Sequence, residues 1–239
     1  MQKCLSSVVS VVAVTGSTQS SGSGVIVYRN EIQGFVYVIT NYHVICNEST
    51  HEIADDIVAF LYGREGVKYD GVSGLQLNNV VYVGGSPQDD IAILKVYISS
   101  ELWSKTCATV AKIGDSSRLA VGTAVGAIGN SKGHGIALTR GVLSMDSEYT
   151  KFQRPDKINS ASHVRVLRYD AYIINGNSGG GLFNVNGELI GIVNASATEA
   201  NFYYAIPVDV AYGIYQNVIA NCTSTNLVAE RIGLGVRVA

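Results

Sequence analysis

Short runs of β-branched and aromatic residues alternate with polar, glycine-containing segments along most of this chain. Ser23–Tyr28 and Gly34–Thr40 are two such runs, on either side of a polar turn at 29–33. Runs of this kind, bounded by Gly, Asn, Asp and Ser, predict β-strands. Leu182–Val193 carries Asn186–Gly187 at its middle, which predicts a hairpin with a two-residue turn of the primed type. The pattern as a whole indicates an all-β protein.

Three segments depart from this pattern. After Pro207, apolar residues recur at helical spacing through Asn221, which predicts a packing helix. Ser144–Ser162 is polar and poor in strand-forming residues, so we expect a long loop there. Leu5–Val14 faintly resembles a short signal peptide, but its serines and β-branched residues favour a strand.

Composition indicates a globular protein and gives no sign of nucleic-acid or membrane chemistry. The 239 residues are 47% hydrophobic and 15% charged, with a formal net charge of -2. This balance gives no reason to expect nucleic acid or an anionic membrane as a partner. The cysteines show neither a C-x-x-C pair nor zinc-site spacing, so no metal or cofactor is expected. Disulfide pairing and isolated buried thiols are equal alternatives for Cys4, Cys46, Cys107 and Cys222.

Ser178 lies within Gly176–Gly180, a stretch whose glycines surround the serine with open space. A nucleophilic hydroxyl must project from a tight turn beside backbone N–H groups that bind a developing oxyanion. Glycine adopts the backbone angles that such a turn needs and places no side chain in the way of a substrate. An ordinary glycine-rich turn is the alternative, and residues elsewhere in the chain decide between the two.

A histidine and an aspartate precede this serine, in the order His43, Asp90, Ser178. Serine needs a base to accept its proton, and histidine suits this task with an unperturbed pKa of about 6.5. A buried carboxylate then fixes the imidazole tautomer, and the order is that of the chymotrypsin-like enzymes. The remaining histidines lie in polar stretches or turns and are expected to be solvated: His51, His134 and His163.

Ordered blocks through nearly the whole chain resemble the protease domain of the HtrA/Deg family of chymotrypsin-like serine endopeptidases. Each block is weak alone, but their order together is specific. The blocks are Ser21–Val27, Ile39–Ile45, Asp90–Val96, Ile113–Ser116, Val121–Asn130, Gly141–Ser144, Gly187–Ile192 and Tyr204–Pro207.

The resemblance implies two six-stranded antiparallel β-barrels with an active site in the cleft between them, followed by a C-terminal α-helix. We expect one barrel in 1–112 and the second, with the helix, in 113–225. Residues 226–239 resemble the start of a PDZ domain, which the full-length protein is then expected to carry. The family also implies export or anchoring in the cell envelope and a possible homotrimer, although the expected aromatic residues are absent before Tyr28.

The resemblance also assigns the site residues. His43 is the expected base, Asp90 the orienting acid and Ser178 the nucleophile. Adjacent strand residues face opposite sides, so Asp89 and Asp90 cannot both face His43, and Asp89 is expected to be a solvated or capping carboxylate. The expected oxyanion hole consists of Gly176, Asn177 and Ser178, with the N–H groups of the first and last as donors.

The predicted substrates are polypeptides, unfolded or extended, cleaved by a serine endopeptidase of the quality-control type. No acidic residue occupies the base of the specificity pocket, so a small or medium aliphatic side chain is expected there rather than a basic one. By position, this pocket is bordered by Tyr172, Ile173, Asn194 and Ser196.

Two other functions remain open. Ile174–Asn175 replaces the usual polar pair before Gly176, so an inactive or activation-dependent module that binds peptides or partners is one alternative. A single-domain secreted endopeptidase with narrow specificity is the other. The PDZ-like segment and Gly114–Ser116 favour the HtrA/Deg interpretation over the second.

Overall fold

Seven strands from the first half of the chain form one antiparallel sheet. The computed structural model describes residues 2–47, 52–61, 75–77, 79–104, 106–151, 163–197 and 202–221. The seven strands are β1 (Val8–Thr15), β2 (Thr18–Asn30), β3 (Phe35–Thr40), β4 (Asp56–Leu61), β5 (Leu75–Leu77), β6 (Val80–Ser86) and β7 (Ile91–Tyr97). Their order across the sheet is β5-β4-β1-β2-β3-β7-β6.

The two outermost strands of this sheet are consecutive in the chain. Only residues 78 and 79 separate β5 at one edge from β6 at the other. Strands β5 and β6 therefore act as one interrupted strand that joins the two edges. With the other five strands it closes the sheet into a six-stranded barrel. Its interior is filled by alternate residues of the strands, among them Val9, Val11, Ile26, Val36 and Val38.

The second half of the chain forms a closed ring of six strands. The six strands of the ring are β9 (Ala124–Asn130), β10 (Ile136–Thr150), β11 (Val164–Tyr169), β12 (Gly181–Asn184), β13 (Glu188–Ala197) and β14 (Phe202–Pro207), and a seventh strand, β8 (Lys112–Ile113), precedes them in the chain. The ring closes because β12 pairs with both β9 and β13, while β8 adds to β13 in parallel. The predicted fold of two six-stranded barrels is confirmed.

Helices are few and short among the described residues. The α-helices are α1 (Tyr42–Ile45), α2 (Ser100–Trp103) and α3 (Val208–Asn221). The helix predicted after Pro207 is therefore confirmed as α3. None of the helices in the described ranges is long and apolar enough to cross a membrane.

A shared hydrophobic cluster joins the two barrels. It combines residues of the first barrel, such as Val25 and Ile39, with residues of the second, such as Ile128 and Phe183. The buried face of α3 belongs to the same cluster through residues that include Ala211. Burial of these apolar side chains between the barrels fixes the position of one barrel against the other.

The loop predicted from Ser144 onwards is wrong for its first residues. Strand β10 continues to Thr150 and pairs with β11 through two register shifts. The polar character of this part reflects a partly exposed strand face, where the half-buried side chains of Glu148 and Arg168 form an ion pair at 3.3 Å. Residues 152–162 lie outside the described part of the chain.

The hairpin turn between β12 and β13 also differs from the prediction. Three residues, 185–187, separate the strands, and Gly187 alone among them has a positive φ, at 74°. The side-chain oxygen of Asn184 accepts hydrogen bonds from the N–H groups of Asn186 and Glu188, both at 3.0 Å. This side-chain cap favours the longer loop with a left-handed glycine over a two-residue primed turn.

The N-terminal segment begins with a helical turn and continues as a strand. Gln2–Ser7 forms a 3₁₀-helix, and the predicted strand begins at Val8 rather than Leu5. Cys4 is a buried thiol that lies 3.5 Å from the carbonyl oxygen of Gly187. Cys222 and the PDZ-like segment at 226–239 lie outside the described residues.

Asp209 ties the first turn of α3 to the second barrel. Its carboxylate accepts hydrogen bonds from the Ser116 hydroxyl at 2.5 Å and from Arg165 at 2.7 Å. Burial by itself would raise the pKa of Asp209, but the bonds to Ser116 and Arg165 outweigh burial and lower it. The carboxylate therefore stabilises the fold in its charged form, as is typical of an acidic residue near a helix N-terminus.

We expect Asp209→Asn to destabilise the protein at neutral pH by about 0.5–1 kcal/mol, since it removes a charged acceptor whose side chain is 41% exposed and therefore screened by solvent. Because the folded-state pKa is lowered, this stabilisation is complete above the unfolded pKa and is lost as pH falls through the folded value. Urea unfolding of both proteins at pH 7 and at about pH 2.5 measures the effect. An equal difference at both pH values would contradict this interpretation.

Candidate active site

Pairing between β3 and β7 brings His43 against Asp90. The two strands align Thr40 with Ala92, so the segments just beyond them, α1 and the residue before β7, are neighbours. His43 Nδ1 lies 2.7 Å from Asp90 Oδ2, and the backbone N–H of His43 donates to Asp90 Oδ1 at 2.8 Å. Both carboxylate oxygens therefore hold the same histidine, one through its ring and one through its backbone.

The backbone of Asp90 adopts a left-handed conformation, with φ 54° and ψ 44°. This conformation costs a residue with a side chain on the order of 1 kcal/mol. Hydrogen bonds to its carbonyl oxygen from the Asn41 side chain at 2.9 Å and the Tyr42 N–H at 3.2 Å offset that cost. The carboxylate is thereby directed at His43 from a buried position.

Asp89 has a different partner from its neighbour. Its carboxylate accepts the Ser86 hydroxyl proton at 2.7 Å, and its N–H donates to the same hydroxyl oxygen at 3.2 Å. Ser86 is the N-cap of the 3₁₀ turn Pro87–Asp89, and Asp89 is the last residue of that turn. Its carboxylate is buried, not solvated, and binds the capping hydroxyl. Strand alternation is not the reason that the two aspartates diverge, because β7 begins only at Ile91.

Ser178 lies in the loop before β12 and is held against the first barrel. The carbonyl oxygen of Ser178 accepts a hydrogen bond from the N–H of Ser23 at 2.7 Å. The N–H of Gly179, the next residue, donates to the carbonyl oxygen of Val193 at 2.8 Å. Gly179 has a φ of 84°, and a Cβ there would collide with the carbonyl oxygen of Ser23. Glycine at 179 is therefore required for the close approach between this loop and β2.

Asn194, on β13, connects Asp90 to Ser178. Its side-chain N–H donates to Asp90 Oδ2 at 2.6 Å, and its backbone carbonyl oxygen accepts the Ser178 hydroxyl at 3.0 Å. The sequence predicts Asn194 at the border of the specificity pocket, and that stays a prediction. Its buried amide holds the aspartate. A polar residue within the apolar run of β13 was the available signal for this role.

The backbone at Ser178 leaves two N–H groups without an acceptor among the described residues. The carbonyl oxygen of Asn175 accepts the N–H of Lys132 at 2.7 Å. In a trans peptide the C=O and N–H groups point in opposite directions, so the N–H of Gly176 points away from Lys132. Among the described residues, neither the N–H of Gly176 nor that of Ser178 has an acceptor.

Asn177, the residue between the two expected donors, does not contribute its own N–H to this pair. Its N–H donates to the carbonyl oxygen of Ile174 at 3.1 Å. Its buried side chain accepts the hydroxyl of Ser131 at 3.0 Å. The role of Asn177 is therefore to shape the turn. Ile174 supports the same turn through its carbonyl oxygen, which accepts the Asn177 N–H. Because this contact involves only backbone atoms, the type of side chain at 174 matters little to it.

Two tyrosine rings occupy the region expected to border the specificity pocket. Tyr172 is 59% exposed and meets Tyr203 edge-on, with 5.9 Å between ring centroids. Tyr203 is buried and faces Ser196 across the β13–β14 ladder. Burial raises the pKa of Tyr203. Ile173 is also buried. The side chain of Ser196 is not among those that the structure describes.

The remaining histidines lie away from these groups. His134 and His163 are exposed, as expected, and His51 lies outside the described residues. Within the described ranges, no cluster of three or more His, Cys, Asp or Glu residues could hold a metal ion.

Comparison with known proteins agrees with this geometry. The family model described as trypsin-like peptidase domain matches residues 22–192. A probable periplasmic serine endoprotease, DegP-like, of Pseudomonas putida (strain W619) is 34% identical over 82% of this chain and 34% of its own length. The periplasmic serine endoprotease DegP of Escherichia coli (strain K12) is 31% identical over 85% of this chain and 35% of its own.

A solved structure shows the same similarity. The HtrA-type protease AlgW with a tripeptide superimposes with a TM-score of 0.68 at 26% identity, over 91% of this chain and 62% of that one. The chain spans about a third of the length of the curated relatives it matches. The chain therefore belongs to the trypsin-like peptidase domain family, and its domain is of the HtrA/Deg type, a group of serine endoproteases.

Proposed function

We propose that this domain hydrolyses peptide bonds with Ser178 as nucleophile, His43 as base and Asp90 as the acid that orients it. The observation that carries the proposal is the position of Asn194, which contacts both Asp90 Oδ2 and the Ser178 hydroxyl. One residue thus spans the acid of the first barrel and the nucleophile of the second. Such a connection supports a common site for Ser178 and for the histidine that Asp90 holds.

The reaction begins with a change of hydroxyl partner. A hydroxyl has a single proton, and in this structure that of Ser178 is directed to Asn194. Rotation about χ1 turns the proton to His43 Nε2, which accepts it as Ser178 attacks the scissile carbonyl. His43 then protonates the leaving amine and activates the water that hydrolyses the acyl-enzyme, while Asp90 holds Nδ1.

The N–H groups of Gly176 and Ser178 are the proposed donors to the oxyanion. Loss of one such donor typically costs on the order of 3 kcal/mol of transition-state stabilisation. The bond from Lys132 to the Asn175 carbonyl oxygen keeps this peptide in the required orientation without a ligand. This contact favours a site that is formed at rest over an inactive or activation-dependent module.

The proposed substrates are unfolded or extended polypeptides outside the cytoplasm. Relatives named periplasmic serine proteases support a polypeptide substrate and a location outside the cytoplasm. A homotrimer and a following PDZ domain stay predictions.

The side chain before the scissile bond is proposed to be small and uncharged. The acyl part of a substrate lies between the loop that carries Tyr172 and the edge of β13, since its carbonyl must reach the N–H groups of Gly176 and Ser178. Tyr203, opposite Ser196, fills space behind these walls together with Tyr172. We therefore expect Ala or Val to fit better than Phe or Arg.

Ser178→Ala should abolish labelling by a fluorophosphonate probe, because the probe bonds covalently to the nucleophile. Asp90→Asn should slow labelling by about a thousandfold or more, since the histidine loses its correct tautomer. The matched control is Asp89→Asn, which keeps a hydrogen-bond acceptor for Ser86 and should change the rate by less than about threefold. Equal labelling of Ser178→Ala and the parent, or equal slowing by the two asparagine variants, would contradict the assignment.

Tyr203→Ala should enlarge the pocket and shift its preference towards large side chains. Cleavage of peptides that differ only in the residue before the scissile bond gives kcat/KM for Ala and Phe. We expect the Phe-to-Ala ratio to rise by about tenfold or more, as is typical when pocket volume changes. Tyr203→Phe retains the ring and should keep the parental ratio. A parent that prefers Phe or Arg would refute the proposed specificity, whether or not the alanine variant folds.

A further inference from the structure

A cavity of about 340 Å³ lies beside His43, on the side of the first barrel. One of its walls is the hairpin of β1 and β2, and another is the segment that follows His43, including Asn47. Its volume falls within the range of small-ligand sites, about 300–1,000 Å³. None of the proposed roles described so far uses this cavity.

The hairpin wall presents small, hydroxyl-bearing side chains. Ala13 pairs with Ser20, and Thr15 pairs with Thr18, across the antiparallel ladder. Cross-strand partners and residues two apart in a strand share a face of the sheet, so these four side chains lie on the same face. Larger residues at these positions would fill the space next to His43.

The position of the cavity relates it to the leaving half of a substrate. The acyl half is bound by groups of the second barrel, namely Gly176, Ser178 and the edge of β13. The described residues that line the cavity all belong to the first barrel, and His43 is one of them. Since His43 protonates the leaving amine, the residues after the scissile bond must pass beside it.

We propose that this cavity is a subsite for the first residues after the scissile bond and that it selects uncharged polar side chains. The hydroxyls of Thr15 and Ser20 can donate and accept hydrogen bonds, and Asn47 adds an amide to the lining. The Thr18 hydroxyl donates to the Thr15 carbonyl oxygen at 2.7 Å and can still accept. Of the described lining residues, His43 alone has a side chain that can be charged near neutral pH. Serine, threonine, asparagine and glutamine match this lining better than Leu, Asp or Arg.

The proposed subsite rests on the proposed function. Aminolysis of the acyl-enzyme tests the subsite separately from that function. A peptide ester with Ala before the ester bond first acylates Ser178. An added amino acid amide then competes with water for the acyl group. Its amine attacks the ester carbonyl, a proton passes through His43 to the Ser178 oxygen, and the serine leaves as a free hydroxyl. The ratio of amide product to acid product reports binding on the leaving side only.

In the parent, glutamine and serine amides should capture the acyl group about threefold to tenfold more efficiently than leucine and arginine amides, the effect of one hydrogen bond between uncharged groups. The double variant Thr15→Val, Ser20→Ala removes two hydroxyls and should bring these ratios close to equality. The matched control Thr139→Val lies in the second barrel and should keep the parental ratios. Ser20→Asp should reverse the order in favour of arginine amide.

Equal capture of the four amides by the parent would overturn the subsite while leaving the proposed function intact, since an acyl-enzyme has then formed. Unchanged selectivity in the double variant would overturn it as well. Absence of any acyl-enzyme would overturn the proposed function, and the subsite with it. The parental measurement decides the question even if a variant fails to fold.

Discussion

The buried carboxylate of Asp90 is the group on which the arrangement of the site depends. A buried carboxylate is costly unless hydrogen-bond donors surround it. Two donors come from His43 in the first barrel, and the third comes from Asn194 in the second. The carboxylate is therefore satisfied only when both barrels are docked in this register. The hydrophobic cluster between the barrels, with α3 over it, supplies the free energy for that docking.

The position of Ser178, the proposed nucleophile, depends on the same contact between barrels. Ser178 is anchored to β2 through Ser23, and Gly179 makes this approach sterically possible. The loop before it is fixed within the second barrel by Lys132, so the two N–H groups of the proposed oxyanion hole are oriented by backbone bonds alone. The identity of Ile174 then matters less than the sequence suggested, because its contribution to the turn is a backbone carbonyl.

The sequence was most informative where function depends on short, local motifs. The strands, the helix after Pro207 and the residues His43, Asp90 and Ser178 could all be predicted from contiguous blocks and their order. Asn194 could not be assigned to Asp90, because the two are 104 positions apart and only the docking of the barrels brings them together. Tyr203 was missed for a similar reason, since its place opposite Ser196 follows from strand register. Polar character also misled the prediction for Ser144–Thr150, which is a partly exposed strand rather than a loop.

The central claim is that the site is assembled at rest, with Asp90, Asn194 and Ser178 linked and the oxyanion donors free to act. Active-site titration with a chromogenic peptide ester measures the fraction of chains that form an acyl-enzyme. We predict a burst of about one equivalent of leaving group per chain, without any added activator, because Asp90 already holds His43 and is linked to Ser178 through Asn194. No burst, or a burst that appears only after a second molecule is added, would contradict this account.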